Sequence, residues 1–340
     1  MQKESLLGKN LVELQAVAQQ LHLQRFVGKQ LCDWLYKKKC TSIDAMTNLS
    51  KKVREQLNEK YVVGCSLPQS MQESTDGTKK YLFATGENRY VEAVFIPDKE
   101  RATLCLSTQM GCKMNCSFCM TGKQGFQNNL TAGEIVNQII HLPESNRISN
   151  IVYMGMGEPF DNLDHVLRSL EIVTSEWGLA MSPRRITVSS IGIIPAMKTF
   201  VEKSDCHLAI SMHSPFHEER EKMMPVEKVY PIADVIAVLR DYDLGLQRRI
   251  TFEYILFKDV NDSETHVKAV AKLLKGMRCR VNLIRFHEIP KIEFKGVDPL
   301  AAARFRDSLN EKGVLATVRA SRGEDILAAC GLLSTKEFVK

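Results

Sequence analysis

From about residue 101 the chain alternates between two patterns. Short apolar runs read as strands at 103–108, 151–156, 185–190, 206–213, 249–257, 281–286 and 316–320. Runs with helical periodicity lie between them, at 131–142, 163–174, 195–201, 232–242, 264–274 and 299–312. Thr131 with Glu134 forms a capping box that opens the first of these helices. Strands recurring with a helix between each pair align in parallel, with right-handed crossovers. About six such units predict a partial (β/α) barrel rather than a closed eight-stranded one. Functional residues are then expected at the C-terminal ends of the strands.

The part before this alternation is different. Leu6, Leu7, Leu11, Leu14 and Val17 fall at helical spacing, and Phe26, Leu31, Trp34 and Leu35 suggest a second apolar stripe. The basic run Lys37-Lys38-Lys39 follows, and Asn48-Leu49-Ser50 can cap a further helix through Lys60. Residues 1–70 are therefore expected to form a helical accessory domain. It is either a small bundle with solvated lysines or an RNA-contacting module in which Trp34, Tyr36 and Arg25 stack on bases. Ser74-Thr75-Asp76-Gly77-Thr78 is turn chemistry, and 80–85 with 90–96 read as an antiparallel pair. This makes 71–100 a small β extension, closed by a break at Pro97-Asp98-Lys99-Glu100, and 101–340 the core.

Cys112, Cys116 and Cys119 follow the first barrel strand, spaced Cys-x3-Cys-x2-Cys. Four thiolates would close a structural zinc site or a four-cysteine iron–sulfur cluster. Three leave a corner that the local chain does not fill, and no second Cys-x2-Cys or Cys/His arm is visible. The second strand runs into Gly155-Met156-Gly157-Glu158-Pro159, where small residues allow backbone to approach a ligand closely. The third and fourth strands end at Ser189-Ser190 and Ser211-Met212-His213-Ser214, whose hydroxyls and imidazole suit ribose or carboxylate oxygens. Cys105 on the first strand and Cys330 after the last point to the same face of a barrel, whereas Cys32, Cys65, Cys206 and Cys279 read as core. Ten cysteines, no apolar run near membrane-spanning length and an N-terminus without a signal-peptide pattern place the chain in a reducing cytoplasm. A net charge of +6 permits a polyanionic partner.

The three-cysteine motif, with aromatic Phe118 before the last Cys, resembles the radical S-adenosylmethionine (SAM) superfamily. There the open iron of a [4Fe–4S] cluster is chelated by the amino and carboxylate groups of SAM, and reduction yields a 5′-deoxyadenosyl radical. Together, RATLCLSTQMGC, GMGEP, SPRRITVSSIGIIP, LAISMHSP, RVNLIRFH and RASRGEDILAACG resemble the RlmN family of adenine-C2 methyltransferases over almost the whole chain. The resemblance implies 23S rRNA and tRNA as substrates, two SAM per turnover, an external flavodoxin- or ferredoxin-like electron donor, and a monomer.

It also explains the residues. Carbon 2 of adenine lies between two ring nitrogens and is too electron-poor to attack a methyl sulfonium. In the family a cysteine takes a methyl group from one SAM, and a radical from a second SAM abstracts hydrogen from it. The carbon radical adds to adenine, a base removes the ring proton, and a second cysteine frees the product as a disulfide forms. Matched by position, Cys330 is implied as the methyl carrier, Cys105 as the resolving thiol and Glu92 as the base. From sequence alone Glu92 is a surface carboxylate of a strand pair. The implied SAM contacts are Gly157, Glu158, Ser190, Ser211, Met212, His213 and His287, the last falling where many members carry Asn. Arg184-Arg185, Arg248-Arg249 and Arg319 with Arg322 become candidate RNA contacts. Two alternatives stand beside this: a Cfr-type adenine-C8 methyltransferase, which Pro159 disfavours because such proteins tend to have Ala there, and a non-catalytic, metal-stabilised RNA-binding protein.

Overall fold

A computed structural model describes residues 3–86, 88–243, 245, 248–287 and 292–335; the outer ends of the 1–70 and 101–340 spans lie outside the described residues. Strand β1 (Glu4–Ser5) precedes helix α1 (Leu11–Gln20), which Asn10 and Glu13 open with a reciprocal capping box. Helix α2 (Phe26–Cys32) continues into a π-helical turn at Asp33–Lys37. Helix α3 (Lys51–Lys60) starts at Ser50, whose hydroxyl accepts from Val53 N as the sequence predicts. Strand β2 (Tyr61–Val62) then pairs in parallel with β1 and ties the two ends of this segment together. Leu14, Leu31, Leu35, Tyr36 and Leu57 form its core. The segment packs on the rest of the chain by backbone proximity: a Cβ on Gly8 would stand 2.3 Å from Gly133 N.

Strands β3 (Pro68–Glu73), β4 (Lys79–Gly86) and β5 (Arg89–Asp98) are antiparallel, and β5 pairs in turn with β6 (Arg101–Cys105). The break at Pro97-Asp98-Lys99-Glu100 is thus a hairpin turn, with Lys99 at φ 51°, and the extension is continuous with the core sheet. A short pair, β7 (Gln109–Met110) and β8 (Asn128–Asn129), encloses helix α4 (Met120–Gln124). Helix α5 (Ala132–Ile140), strand β9 (Asn150–Tyr153), helix α6 (Leu163–Thr174), strand β10 (Ile186–Ser190), helix α7 (Ile194–Lys203) and strand β11 (His207–Ser211) follow. Helices α8 (His217–Met223) and α9 (Ile232–Arg240) lead to β12 (Ile250–Leu256), α10 (Glu264–Leu274), β13 (Cys279–Arg285), α11 (Pro299–Glu311) and β14 (Ala316–Val318).

Among the described residues β1–β2 and β7–β8 are separate pairs, and the other ten strands make one sheet, ordered β14-β13-β12-β11-β10-β9-β6-β5-β4-β3. It is parallel from β6 to β14. Leu104, Ile151, Val188, Leu208, Phe252 and Leu283 are fully buried, as expected for strands covered on both faces. The partial barrel is the α/β architecture read from the sequence, and each of the seven predicted runs supplies a parallel strand, the last of three residues. Several strands stop before their apolar runs do: β6 ends at Cys105 and β11 at Ser211. The residues beyond leave the ladder to build loops at the strand ends. The open side between β14 and the opposite edge is crossed by residues 319–335, which reach back to the β3–β4 turn.

Candidate active site

One cavity at the C-terminal ends of the parallel strands is lined by all three motif cysteines, Cys105 and Cys330. The β7–β8 pair seals the base of the cysteine loop. Inside it, Cys119 N donates to Cys116 O (3.1 Å) and Ser117 N to Met223 O (2.9 Å). Phe118 packs edge-on against His213, with centroids 4.9 Å apart, and also contacts Phe257. Burial pushes the Cys112 thiol up to about 12 and Cys116 well above its ordinary value. These are thiols that a metal would have to deprotonate. Among the described residues no group of three or more His, Cys, Asp or Glu could hold a single metal ion. Three thiols on one loop, facing one cavity, fit a cluster in which each binds its own iron.

The glycines of GMGEP also have a packing role that spacing did not show. A Cβ on Gly155 would meet Leu106 O at 2.7 Å, and one on Gly157 (φ +99°) would meet Gln109 Cβ at 2.5 Å. The small residues let this loop pack on the chain just before Cys112, and both glycines also line the cavity. Glu158 lies on the cavity wall, but its carboxylate accepts from Phe160 N (3.0 Å) and Ile191 N (3.1 Å). Burial raises its pKa to about 7, partly offset by hydrogen bonds from Ser190 and those two amides. Ser190 and Ser211 also line the cavity. Met212 does not; its side chain is fully buried in the main core because β11 residues alternate faces. Only its backbone remains near the strand end.

His213 is held at φ 56° by Asn261, whose amide donates to His213 O (2.6 Å) and Ile255 O (2.7 Å). Its Nδ1 accepts from Ile255 N (3.0 Å), which assigns the proton of the neutral ring to Nε2. Burial, with Arg220 nearby, lowers its pKa to about 3. The imidazole is therefore a neutral donor at the cavity wall.

Arg220 escaped the sequence reading because HEEREKMM looks like a solvated helix. It is fully buried and ion-paired with Glu227. Its Nε donates to Met212 O (3.0 Å), and its Nη2 to Ile191 O and Ser211 O (both 2.9 Å). One guanidinium thus staples the ends of β10 and β11. Arg220→Ala takes the guanidinium from buried Glu227, leaving it only His217 Nδ1 and Ile232 N, and is expected to cost about 3–5 kcal/mol in urea unfolding, whereas an apolar replacement of both partners costs much less. A loss below about 1 kcal/mol would show the staple to be dispensable.

Cys330 is exposed to the cavity, and Cys105 is buried at the end of β6. Arg319 faces both. Burial pushes Cys105 up to about 12, Cys330 adds to that, and Arg319 acts in the opposite direction. Cys330 is also raised by burial and lowered by Arg319. Arg319 Nη1 stands 3.6 Å from Glu253 Oε2, and Asn282 Nδ2 donates to Glu253 Oε1 (2.9 Å). Burial raises the Glu253 pKa against the influence of Arg319. Glu253 too went unremarked, although a lone carboxylate in the apolar run ITFEYIL was a usable signal.

Two expected site residues have contacts that the sequence did not show. His287 lines the cavity, but Nε2 pairs with Ser321 Oγ (2.5 Å) and Nδ1 faces Glu324 Oε2 at 3.2 Å, so both ring nitrogens serve the crossing segment 319–335. Glu92 is not a surface carboxylate. It is completely buried, 3.3 Å from Lys80 Nζ, and accepts from Ser334 N (2.9 Å), outside the cavity lining. On the β5 face that carries it, Ser334 closes over the carboxylate.

The candidate RNA contacts also divide. Arg184-Arg185 and Arg248-Arg249 precede β10 and β12, so they lie at the end of the barrel opposite the cavity. Arg248 donates to Cys206 O (2.9 Å) and Val201 O (2.7 Å), capping the end of α7. Arg319 points inward, as described. Tyr36 is buried, with its hydroxyl on Lys9 O (2.5 Å), and cannot stack on a base. Arg25 Nε donates to Gln15 Oε1 (2.8 Å). Trp34 is half-buried, bonded to Asn48 and covered by Lys38, whose Nζ lies 3.8 Å from the ring centroid.

Comparison with known proteins adds to this geometry. Residues 106–270 match the radical SAM superfamily, and residues 4–63 match the ribosomal RNA large subunit methyltransferase N-terminal domain. A protein of Phocaeicola vulgatus named "probable dual-specificity RNA methyltransferase RlmN" is 56% identical over 338 residues, covering 99% of this chain and 97% of its own. The dual-specificity RNA methyltransferase RlmN of Syntrophus aciditrophicus is 41% identical over 340 residues, covering 99% and 98%. The crystal structure of a radical SAM methyltransferase from Sphaerobacter thermophilus superposes with a TM-score of 0.93 at 37% identity, over 98% of this chain and 100% of that one.

Proposed function

The chain belongs to the RlmN family of radical SAM RNA methyltransferases, and from that premise we propose that it methylates carbon 2 of adenosine in 23S rRNA and in tRNA through a methyl group carried on Cys330. Five thiols converging on one cavity support this most: three on one loop for a cluster, and two more that share Arg319 as a neighbour. As a radical SAM protein it uses a [4Fe–4S] cluster and SAM. Bound together, these supply one-electron cleavage of SAM and hydrogen abstraction.

The chain's own residues do the rest. Cys112, Cys116 and Cys119 hold three corners of the cluster, and the Phe118–His213 contact walls the loop off from water. His213 Nε2–H, Ser190 and Ser211 offer hydrogen bonds to the cosubstrate, while Glu158 and Arg220 fix the loops that carry them. Gly157 and the Met212 backbone border the same space. Cys330 Sγ loses its proton as it gains the methyl group, and Arg319 offsets the charge. After the carbon is attached to adenine, the adduct gives up its unpaired electron to the external redox partner as the ring proton leaves. Cys105, deprotonated, then attacks the Cys330 sulfur: the S–S bond forms, the S–C bond breaks, and its electron pair stays with the product carbon, which takes up a proton to become the methyl group. Glu92 takes the ring proton in a state in which Ser334 has released its carboxylate. A zinc-stabilised binding module would need a closed ligand group, and none is found among the described residues. The division into 1–70, 71–100 and 101–340 is part of this proposal, as is an RNA-contacting role for the first unit.

Product identity tests it. The protein reconstituted anaerobically, given reductant, SAM and a 23S rRNA fragment, is expected to yield 2-methyladenosine on digestion and chromatography with mass detection. 8-Methyladenosine would move the chain to the Cfr-type reaction.

A further inference from the structure

Residues 319–335 cross the open side of the barrel and carry Cys330 into the cavity. Contacts hold this strap on both sides of the thiol. Downstream, Met120 N donates to Gly331 O (2.8 Å) and Thr121 Oγ1 to Leu333 O (2.7 Å). The exit from Cys330 is thereby tied to α4, the helix that follows Cys119.

Upstream, the partner is the turn at residues 74–78, legible in the sequence only as a connection between strands. Ser74 Oγ donates to Asp325 Oδ1 (2.5 Å), and Thr75 N to Asp325 Oδ2 (3.0 Å). Gly323 N donates to Asp76 Oδ2 (3.0 Å). The same side chains shape the turn itself, since Asp76 Oδ1 accepts from Thr78 N (2.9 Å) and Ser74 Oγ from Asp76 N (3.2 Å). Burial works to raise the Asp76 pKa, but hydrogen bonds from Thr78, Gly323 and Ser74 outweigh it and hold it at about 2.

The strap is shaped to receive this turn. Gly323 sits at φ +64°, where a Cβ would stand 2.8 Å from Ala328 Cβ and 2.9 Å from Thr78 Cγ2. Ala328 N closes back on Gly323 O (2.8 Å), and Leu327 is held at φ 53°. A leucine in that region persists where its surroundings over-determine it. Cys330 comes three residues later. The 74–78 turn and β14 belong to strands at opposite edges of the sheet, so no strand ladder joins them. Side-chain clasping is what relates them.

We propose, resting on the reading of Cys330 as the methyl carrier, that the 74–78 turn is a clasp that sets where Cys330 stands, with Ser74, Asp76 and Asp325 as positioning residues. They touch no reacting atom and act through the strap.

The test uses the reconstituted full chain carrying Ser74→Ala, Asp325→Ala, both together, or Asp325→Asn. Four quantities are read: hydrogen exchange in residues 323–333, the rate at which SAM adds one methyl to the Cys330 peptide, iron content, and KM for SAM. Loss of the clasp is expected to speed exchange and to slow Cys330 methylation on the order of tenfold or more, as small misplacements of reacting groups do. Iron content and KM for SAM should match the parent. The double variant should be slower by less than the product of the two single effects, because the Ser74–Asp325 bond is lost in both. Asp325→Asn, which keeps an acceptor oxygen, should recover part of the rate. Faster exchange with a parental methylation rate overturns the positioning role, and parental exchange overturns the clasp. A parent that never gains a methyl on Cys330 overturns the carrier reading and the proposal with it; the exchange data separate that failure from the absence of a clasp.

Discussion

Cys330→Ala is expected to leave the cluster intact and to lower RNA methylation by more than about a thousandfold, the scale on which removal of a covalent nucleophile acts. The substitution removes one sulfur that is exposed to the cavity and leaves the strap's anchors in place: Gly331 O on Met120 N, Leu333 O on Thr121, and Asp325 on Ser74. Alanine fits the tight turn that joins Ala329 O to Leu332 N. Iron content, visible absorbance and SAM affinity should therefore match the parent while product disappears. Cys105 cannot substitute, because it is buried at the end of β6 and its thiol is pushed up to about 12. Full activity in Cys330→Ala would sink the methyl-cysteine route, even if 2-methyladenosine is the product.

Cys116→Ala is expected to abolish the same product for a different reason, by preventing cluster assembly. With Cys112 and Cys119 alone, two thiols remain for a cluster that needs three protein ligands here. The effect should be complete in iron content after anaerobic reconstitution, and SAM cleavage should vanish with it. Cys116 is the most enclosed of the three, packed with Phe118, Met224 and Leu332. Burial raises its thiol well above the ordinary range, so the metal-free chain holds it protonated and cluster binding must release that proton. Reconstitution should accordingly weaken as pH falls, since protons compete for the thiol. Retention of a full iron complement in Cys116→Ala would mean that a ligand outside the 112–119 loop takes its place. The two variants thus separate loss of the carrier from loss of the cluster.

Residue 101 onward was legible because its signals are local. Apolar runs alternate with helical stripes, and the cysteines sit next to one another in the chain, so strand order and the cluster loop follow from spacing. Glycine spacing in GMGEP was equally visible, but its cause was not. The atoms that exclude a Cβ at Gly155 and Gly157 belong to Leu106 and Gln109, some fifty residues away, and only packing brings them there. Arg220 shows the opposite failure, a charged residue in a polar helix that turned out to be central. A helix pattern cannot tell a solvated arginine from one that folds inward onto Glu227 and three backbone carbonyls.

The sequence by itself determined the parallel barrel, the three-thiol loop at the end of its first strand, and the family to which the chain belongs. Each depends on residues that are neighbours in the chain or on repeating periods. Tertiary structure alone decided that Glu92 is buried with Ser334 closed over its carboxylate, that His287 serves the strap, and that Ser74 and Asp76 hold Asp325 and Gly323. Those pairs are separated by between 34 and 251 residues. Nothing in a one-dimensional pattern encodes which hydrogen-bond donor meets which acceptor across such a gap. The meeting is set when the sheet curves and leaves one side open for the strap to close.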